Sequence, residues 1–148
     1  MKVFLSCDHA GIELKNEICE YISEKEGFEA VNLGIEAGEK IDYPVAAENL
    51  CKKVLEENCL GILICGTGIG MSMSANKING IRAAAVSEPY SAKLTRIHND
   101  ANVLCMGARV VGPELAKMIV DSFLDAEFEG GRHKTRVDLM TDIENRQK

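Results

Sequence analysis

Two short segments of the chain combine reactive side chains with glycine: Asp8-His9 just ahead of Gly11, and Cys65-Gly66-Thr67-Gly68-Ile69-Gly70. Each follows directly on an apolar run, Lys2 to Cys7 in one case and Leu60 to Cys65 in the other. Glycine lets backbone N–H groups approach a ligand closely, and a helix starting behind such a loop adds positive potential, so Gly66 to Gly70 reads as a cradle for an oxyanion or a phosphate. Known phosphate loops do not fit. A Walker loop needs lysine after its last glycine, where this chain continues Gly70-Met71-Ser72. The dinucleotide fingerprint fails because Met71 stands at its third glycine. A cysteine-phosphatase loop counted from Cys65 has Met71 where its arginine belongs. What remains is an anion-stabilising loop headed by a thiol. A strand-end cysteine is often simply a buried core residue, but beside this loop Cys65 reads as a general base. Thr67, which could equally cap the loop, can offer its hydroxyl to a developing alkoxide.

The chain has three histidines. His9 follows the first apolar run, His98 precedes Asn99-Asp100, and His133 lies in the basic segment Arg132-His133-Lys134-Thr135-Arg136. His98 suits either a helix C-terminus, where the dipole favours it, or a general acid/base. The basic segment sits at or just before a predicted helix start, where positive charge is disfavoured, and Arg132 and Arg136 are spaced to converge on one phosphate if the segment is helical. A solvated charge run is the competing reading. Arg109, after the last apolar run, can join the phosphate set or form a surface pair. Asp42, ahead of Pro44, reads as a turn residue.

Short β-branched runs alternate with stretches of helical period, the pattern of repeated βα units. Strands are predicted at Lys2 to Cys7, Ala30 to Leu33, Leu60 to Cys65, Arg82 to Val86 and Val103 to Met106. Helices are predicted around Leu14, Ile18 and Ile22, from Pro44 to about Glu57, briefly after Gly70, from Pro89 to Ile97, and from Pro113 with Leu115, Ile119 and Phe123 on one side. A final helix is expected after a capping box at Thr135 and Asp138, with Val137, Met140 and Ile143 on its apolar face. Five parallel strands between helices make a three-layer α/β/α sandwich, in which ligands bind beyond the carboxyl ends of the strands at a topological switch point. The loops after the first and third strands are then neighbours.

At 148 residues the chain is sized for one domain spanning 1–148. Its net charge of −6 argues against nucleic acid or an acidic membrane as partner. The first residues carry neither a signal-peptide nor a membrane-span pattern, which predicts a cytoplasmic protein. The six cysteines are scattered through apolar periodic segments and read as reduced. No Cys/His spacing suits zinc and no acidic pattern suits calcium, so no metal is expected.

The segments CDHAG, DYP, CGTGIG, ANKINGIRA, SEPYSA, HNDANVL, GARVVG and EGGRHKTRV, in this order along nearly the whole chain, resemble the ribose-5-phosphate isomerase B family. The resemblance implies a Rossmann-like five-stranded parallel sheet with a C-terminal helix, no cofactor, and a homodimer as the minimal unit, open to pairing into a tetramer, whose sites are completed by the neighbouring subunit. It implies that Cys65 moves a proton between C2 and C1 of the sugar, Thr67 shuttles protons between the two oxygens, and His98 opens the furanose ring. Asp8, His9 and Asn99 match residues holding the sugar oxygens or phosphate, with Gly66, Gly68, Ile69 and Gly70 forming the anion loop between them. Arg109, Arg132, His133 and Arg136 match the phosphate-binding set. One branch of the family uses a glutamate just after the glycine loop as base; Met71 stands there, so the chain resembles the cysteine branch.

The reaction expected is therefore interconversion of ribose 5-phosphate and ribulose 5-phosphate through an enediolate, a step of the pentose phosphate pathway. Alternatives are an allose 6-phosphate or galactose 6-phosphate isomerase, distinguished by pocket length, and a non-catalytic phosphosugar sensor using the same loop and basic segment. A flavodoxin-like carrier is disfavoured by the scarcity of aromatic residues.

Overall fold

The computed structural model describes residues 1–147, which form five strands and six helices. In chain order these are β1 (Lys2–Cys7), α1 (Ile12–Ser23), β2 (Glu29–Asn32), α2 (Tyr43–Glu57), β3 (Leu60–Cys65), α3 (Ile69–Ala75), β4 (Ala83–Ala85), α4 (Pro89–Asn99), β5 (Val103–Gly107), α5 (Pro113–Leu124) and α6 (Arg132–Arg146). The strands form one parallel sheet in the order β2-β1-β3-β5-β4. β3 is buried at every position, because a central strand of a parallel sheet has helices on both faces and no wet side.

The alternation of strand side chains divides the core. Val3, Leu5, Ile62, Ile64, Leu104 and Met106 face α1 and α5, while Phe4, Leu63, Val103 and Cys105 face α2 and α3. Gly61 is glycine because Leu50 of α2 lies only 2.6 Å from where a Cβ would stand.

Three sequence expectations need correction. The last helix begins at Arg132, with Gly131 as its N-cap at φ 56° and no side-chain cap, so Thr135 and Asp138 lie inside it and the capping box does not form. Gly130 and Gly131, both at positive φ, turn the chain early enough for His133 and Val137 to bury against the body of the protein, and that packing outweighs the local signal. Leu115 is 37% exposed although Ile119 and Phe123 are fully buried; Ala116 and Val120 complete the inner face of α5. On α6 only Val137 of the expected apolar face is buried, and Met140 and Ile143 stand in solvent.

β1 and β2 wind to one side of the sheet, after which the chain crosses back to β3 and proceeds to the other. The switch point therefore lies between β1 and β3, where Cys7 is in register with Ile64.

Candidate functional site

The loop after β3 is held by the loop after β5. Cys65 O accepts from Ala108 N–H at 2.8 Å and Gly66 O accepts from Arg109 N–H at 3.1 Å. This close approach demands glycine twice. A Cβ on Gly107 would stand 2.6 Å from Thr67 backbone, and one on Gly68 would stand 2.8 Å from the Met106 carbonyl carbon, with φ at +80° besides. The turn brings Gly68 N–H to Cys65 Sγ at 3.1 Å, a hydrogen bond donated to the sulfur. Thr67 Oγ1 accepts from Ile69 N–H at 3.3 Å, leaving its hydroxyl proton available to a ligand. α3 is only about two turns long, so the positive potential here comes from these local N–H groups rather than from a long helix dipole.

Asp8 and Arg109 complete the cavity with Cys65, Gly66, Thr67, Ile69 and Gly70, and Tyr43 and Met73 wall it. Its volume is about 460 Å³, sufficient for a small phosphosugar. Asp8 is fixed by accepting from Ala10 N–H at 2.9 Å and by donating its own N–H to Ile64 O. Arg109 lies over Gly66, with Nη1 3.4 Å from where a Cβ would be, and has no carboxylate partner among the described residues. His9 is exposed in an adjoining cleft with Lys40, Ile41 and Asp42.

The other predicted residues gather elsewhere. His98 lies in the last turn of α4 and stacks on His133 of α6, ring centroids 4.2 Å apart and 14° from parallel. Arg132 Nε reaches His133 Nε2 at 3.5 Å, and Arg132 and Arg136 have no carboxylate partners among the described residues. Burial pushes the His133 imidazole below the ordinary histidine value; His98, Arg132 and Arg136 push the same way, against Glu129. The first turn of α6 contains no acidic residue, and although Lys134 pairs with Asp138 at 2.8 Å and Glu129 stands 4.0 Å from His133, the charges of Arg132 and Arg136 remain crowded at a helix N-terminus, an arrangement an anion would relieve. Asn99 is exposed beside it, its carbonyl accepting from Arg82 Nε at 3.1 Å.

These two groups do not meet within one chain. Cys65 closes the carboxyl end of β3, whereas His98 and Asn99 precede the amino end of β5, the neighbouring strand. The five residues of β5 separate the levels, roughly 16 Å at the usual rise per residue.

Comparison with known proteins gives the family and the class of reaction. The family profile described as Ribose/Galactose Isomerase matches residues 3–140. The chain belongs to the ribose/galactose isomerase family. It is 53% identical to ribose-5-phosphate isomerase B of Escherichia coli, over 98% of this chain and 97% of that protein. It is also 43% identical to the D-erythrulose-4-phosphate isomerase of Pectobacterium atrosepticum, over 100% of this chain and 98% of that one. Among solved structures, ribose-5-phosphate isomerase B of Clostridium thermocellum superposes with a TM-score of 0.95 at 45% identity, each chain covered over 100% of its length. The protein is thus a sugar-phosphate isomerase of the aldose–ketose type, with the Rossmann-like fold expected, and its substrate class is a small phosphosugar.

In this isomerase the residues missed by sequence reasoning are Tyr43 and Met73, which wall the cavity. Tyr43 had a signal, the DYP motif, but a helix's first residue gives no hint that it will reach across to Gly70, whose Cβ would stand 2.6 Å from the ring. His98, Glu129 and His133 bring their ligating atoms within 4.8 Å of one another. Yet the stacked rings hold their in-plane lone pairs side by side, and a metal at about 2.0–2.1 Å from both nitrogens would lie well out of both planes. The arrangement suits an anion better than a cation. Among the other thiols, burial pushes Cys7 and Cys19 up to about 11, Cys51 up to about 12 and Cys105 well above the ordinary value. They stay protonated and serve as core. Among the described residues no helix is long and apolar enough to cross a membrane.

Proposed function

We propose that the isomerase interconverts ribose 5-phosphate and ribulose 5-phosphate, with Cys65 as the carbon base and without a metal or cofactor. The observation that carries this reading is the cavity in which Cys65 Sγ, the Gly66–Gly70 backbone, Thr67 and Asp8 converge. An aldose–ketose shift needs one base for carbon, an acid/base for O1 and O2, and donors for the enediolate. Cys65 thiolate takes the C2 proton of the open aldose, and the electron pair moves to form the C1–C2 double bond as O1 takes a proton. The proton on O2 leaves, and the thiol returns its proton to C1 to give the ketose. Thr67 Oγ1 relays between O1 and O2, the loop N–H groups stabilise the enediolate, and Asp8 and His9 hold sugar hydroxyls. Such acid/base and oxyanion contributions are each worth roughly 10²–10⁴-fold.

Ribose 5-phosphate enters as a furanose and must open first, which is the task of His98. Since His98, Asn99, Arg132, His133 and Arg136 lie a strand's length from Cys65 in one protomer, each site takes them from a second copy, and Arg109 of the first faces the same phosphate. The working unit is a homodimer with shared sites. Exposed apolar side chains at both places support this: Ile69 and Met73 at the cavity mouth and Leu139, Met140 and Ile143 along α6. Dimers can pair further into tetramers. The compartment consistent with such chemistry and with reduced thiols is the cytoplasm.

The full-length likeness to a D-erythrulose-4-phosphate isomerase favours a second reading in which the sugar is shorter by one carbon. The test is conversion of ribose 5-phosphate, allose 6-phosphate and erythrose 4-phosphate by wild type and Cys65→Ala, with EDTA present. Ribose 5-phosphate turned over fastest, with activity lost in the variant, is expected. Preference for another sugar moves the substrate assignment, and an active Cys65→Ala removes the thiol from the mechanism.

A further inference from the structure

Lys15 is among the largest fully buried side chains of the fold, a charged residue at 0% exposure that the reaction does not use. It sits on the inner face of α1 with Leu14, Ile18 and Ile22. Its Nζ donates to Ile35 O at 3.0 Å and to Glu36 Oε1 at 3.3 Å, both in the segment 33–42 joining β2 to α2. Gly34 lies against its methylenes, with Cε 3.0 Å and Cys7 Sγ 3.2 Å from where a Cβ would be. Glu36 is held in turn by Asn32 Nδ2 at 3.1 Å, and the ammonium keeps its carboxyl below the usual range.

The segment held in this way leads into the cavity. It passes Lys40, Ile41 and Asp42, which share a cleft with His9, and delivers Tyr43 to the wall around Cys65. Beyond Ile35, which packs on the core, residues 36–40 are exposed and have little apolar surface to hold them. A buried ammonium deprived of its partners is strongly unfavourable, so the segment's departure from Ile35 and Glu36 carries that penalty. The ammonium therefore acts as a pin beneath an otherwise weakly held wall.

We infer that Lys15 is a positioning residue: it fixes segment 33–42 so that Tyr43 walls the cavity and Asp42 the adjoining cleft of His9, and it thereby sets how tightly the sugar phosphate is held and how strictly its length is selected. This rests on the cavity being the isomerase site. The experiment compares wild type with Lys15→Met, which keeps the volume and removes the charge. Hydrogen exchange is read on the amides of 33–42 and, as reference, on those of β1 and β3; KM and kcat are measured on ribose 5-phosphate and allose 6-phosphate. The expected result is exchange about tenfold faster in 33–42 with the strands unchanged. KM for ribose 5-phosphate rises about tenfold, kcat changes little, and the preference for the shorter sugar narrows.

Glu36→Gln removes one charged contact at an exposed position; it is expected to give the same pattern at about threefold. It decides the matter should Lys15→Met not fold. Unchanged exchange in 33–42 in the variant that folds, or faster exchange with KM and sugar preference unaltered, overturns the inference. The exchange measurement is independent of turnover, so a wild type inactive on ribose 5-phosphate would count against the function proposed above and not against the pin.

Discussion

The two groups of functional side chains are built in opposite ways. Around Cys65 the active element is backbone: glycines at 66, 68 and 70, a loop tied to the next by carbonyls, and an N–H group donated to the sulfur at the cavity wall. Around His98 it is side chain: two stacked imidazoles, and arginines with no carboxylate partner among the described residues, on the first turns of an exposed helix. In the function proposed above, the first group is assigned the charge that develops during reaction, which calls for rigidity, and the second the charge already present on the substrate, which allows assembly from two copies of the chain.

Substitutions should break the two groups differently. The largest effect is expected at the backbone-built end, where Cys65→Ala lowers kcat roughly 10²–10⁴-fold with little change in melting temperature. Gly68→Ala, which forces a Cβ toward Met106 backbone at positive φ, lowers kcat by a similar order and also destabilises the fold by about 1–3 kcal/mol, as a denaturation curve will show. At the side-chain end, His98→Gln lowers turnover of ribose 5-phosphate by about 10²-fold. It should spare erythrose 4-phosphate, whose O4 is phosphorylated and cannot close a furanose ring. Equal losses on both sugars would remove ring opening as the role of His98. Arg136→Ala raises KM about tenfold or more at nearly constant kcat, the loss of one charge-assisted contact to the phosphate.

The smallest effect is a matter of pH. His133 is held below its ordinary value, so on acidification through about pH 6.5 the unfolded chain takes up the proton first and the folded state loses stability. Stability therefore rises with pH across that window. Melting temperatures between pH 5.5 and 7.5 should show a steeper acid loss in wild type than in His133→Gln, and added phosphate should flatten the wild-type slope.

The sequence made the backbone-built end legible because glycine spacing and strand ends are local signals. β1, β3 and the loops behind them lie where periodicity puts them, and Cys65, Thr67 and Asp8 share a cavity as switch-point topology requires. The side-chain end was harder to read. Thr135 and Asp138 have capping-box spacing, yet the helix starts at Arg132 because burial of His133 against His98 is a long-range contact invisible to local pattern. The same holds for Lys15, whose charge suggests a surface position and whose burial depends on carbonyl and carboxylate partners 20 and 21 residues away.

That Cys65 and His98 serve one site across two protomers is tested most directly by mixing. Cys65→Ala and His98→Gln are each purified, found nearly inactive on ribose 5-phosphate, then unfolded, combined in equal amounts and refolded. With shared sites in a two-fold dimer, half the dimers are mixed and each carries one intact site, so activity returns to about a quarter of wild type. A mixture no more active than its two components would contradict the shared site and require both residues to act within a single chain.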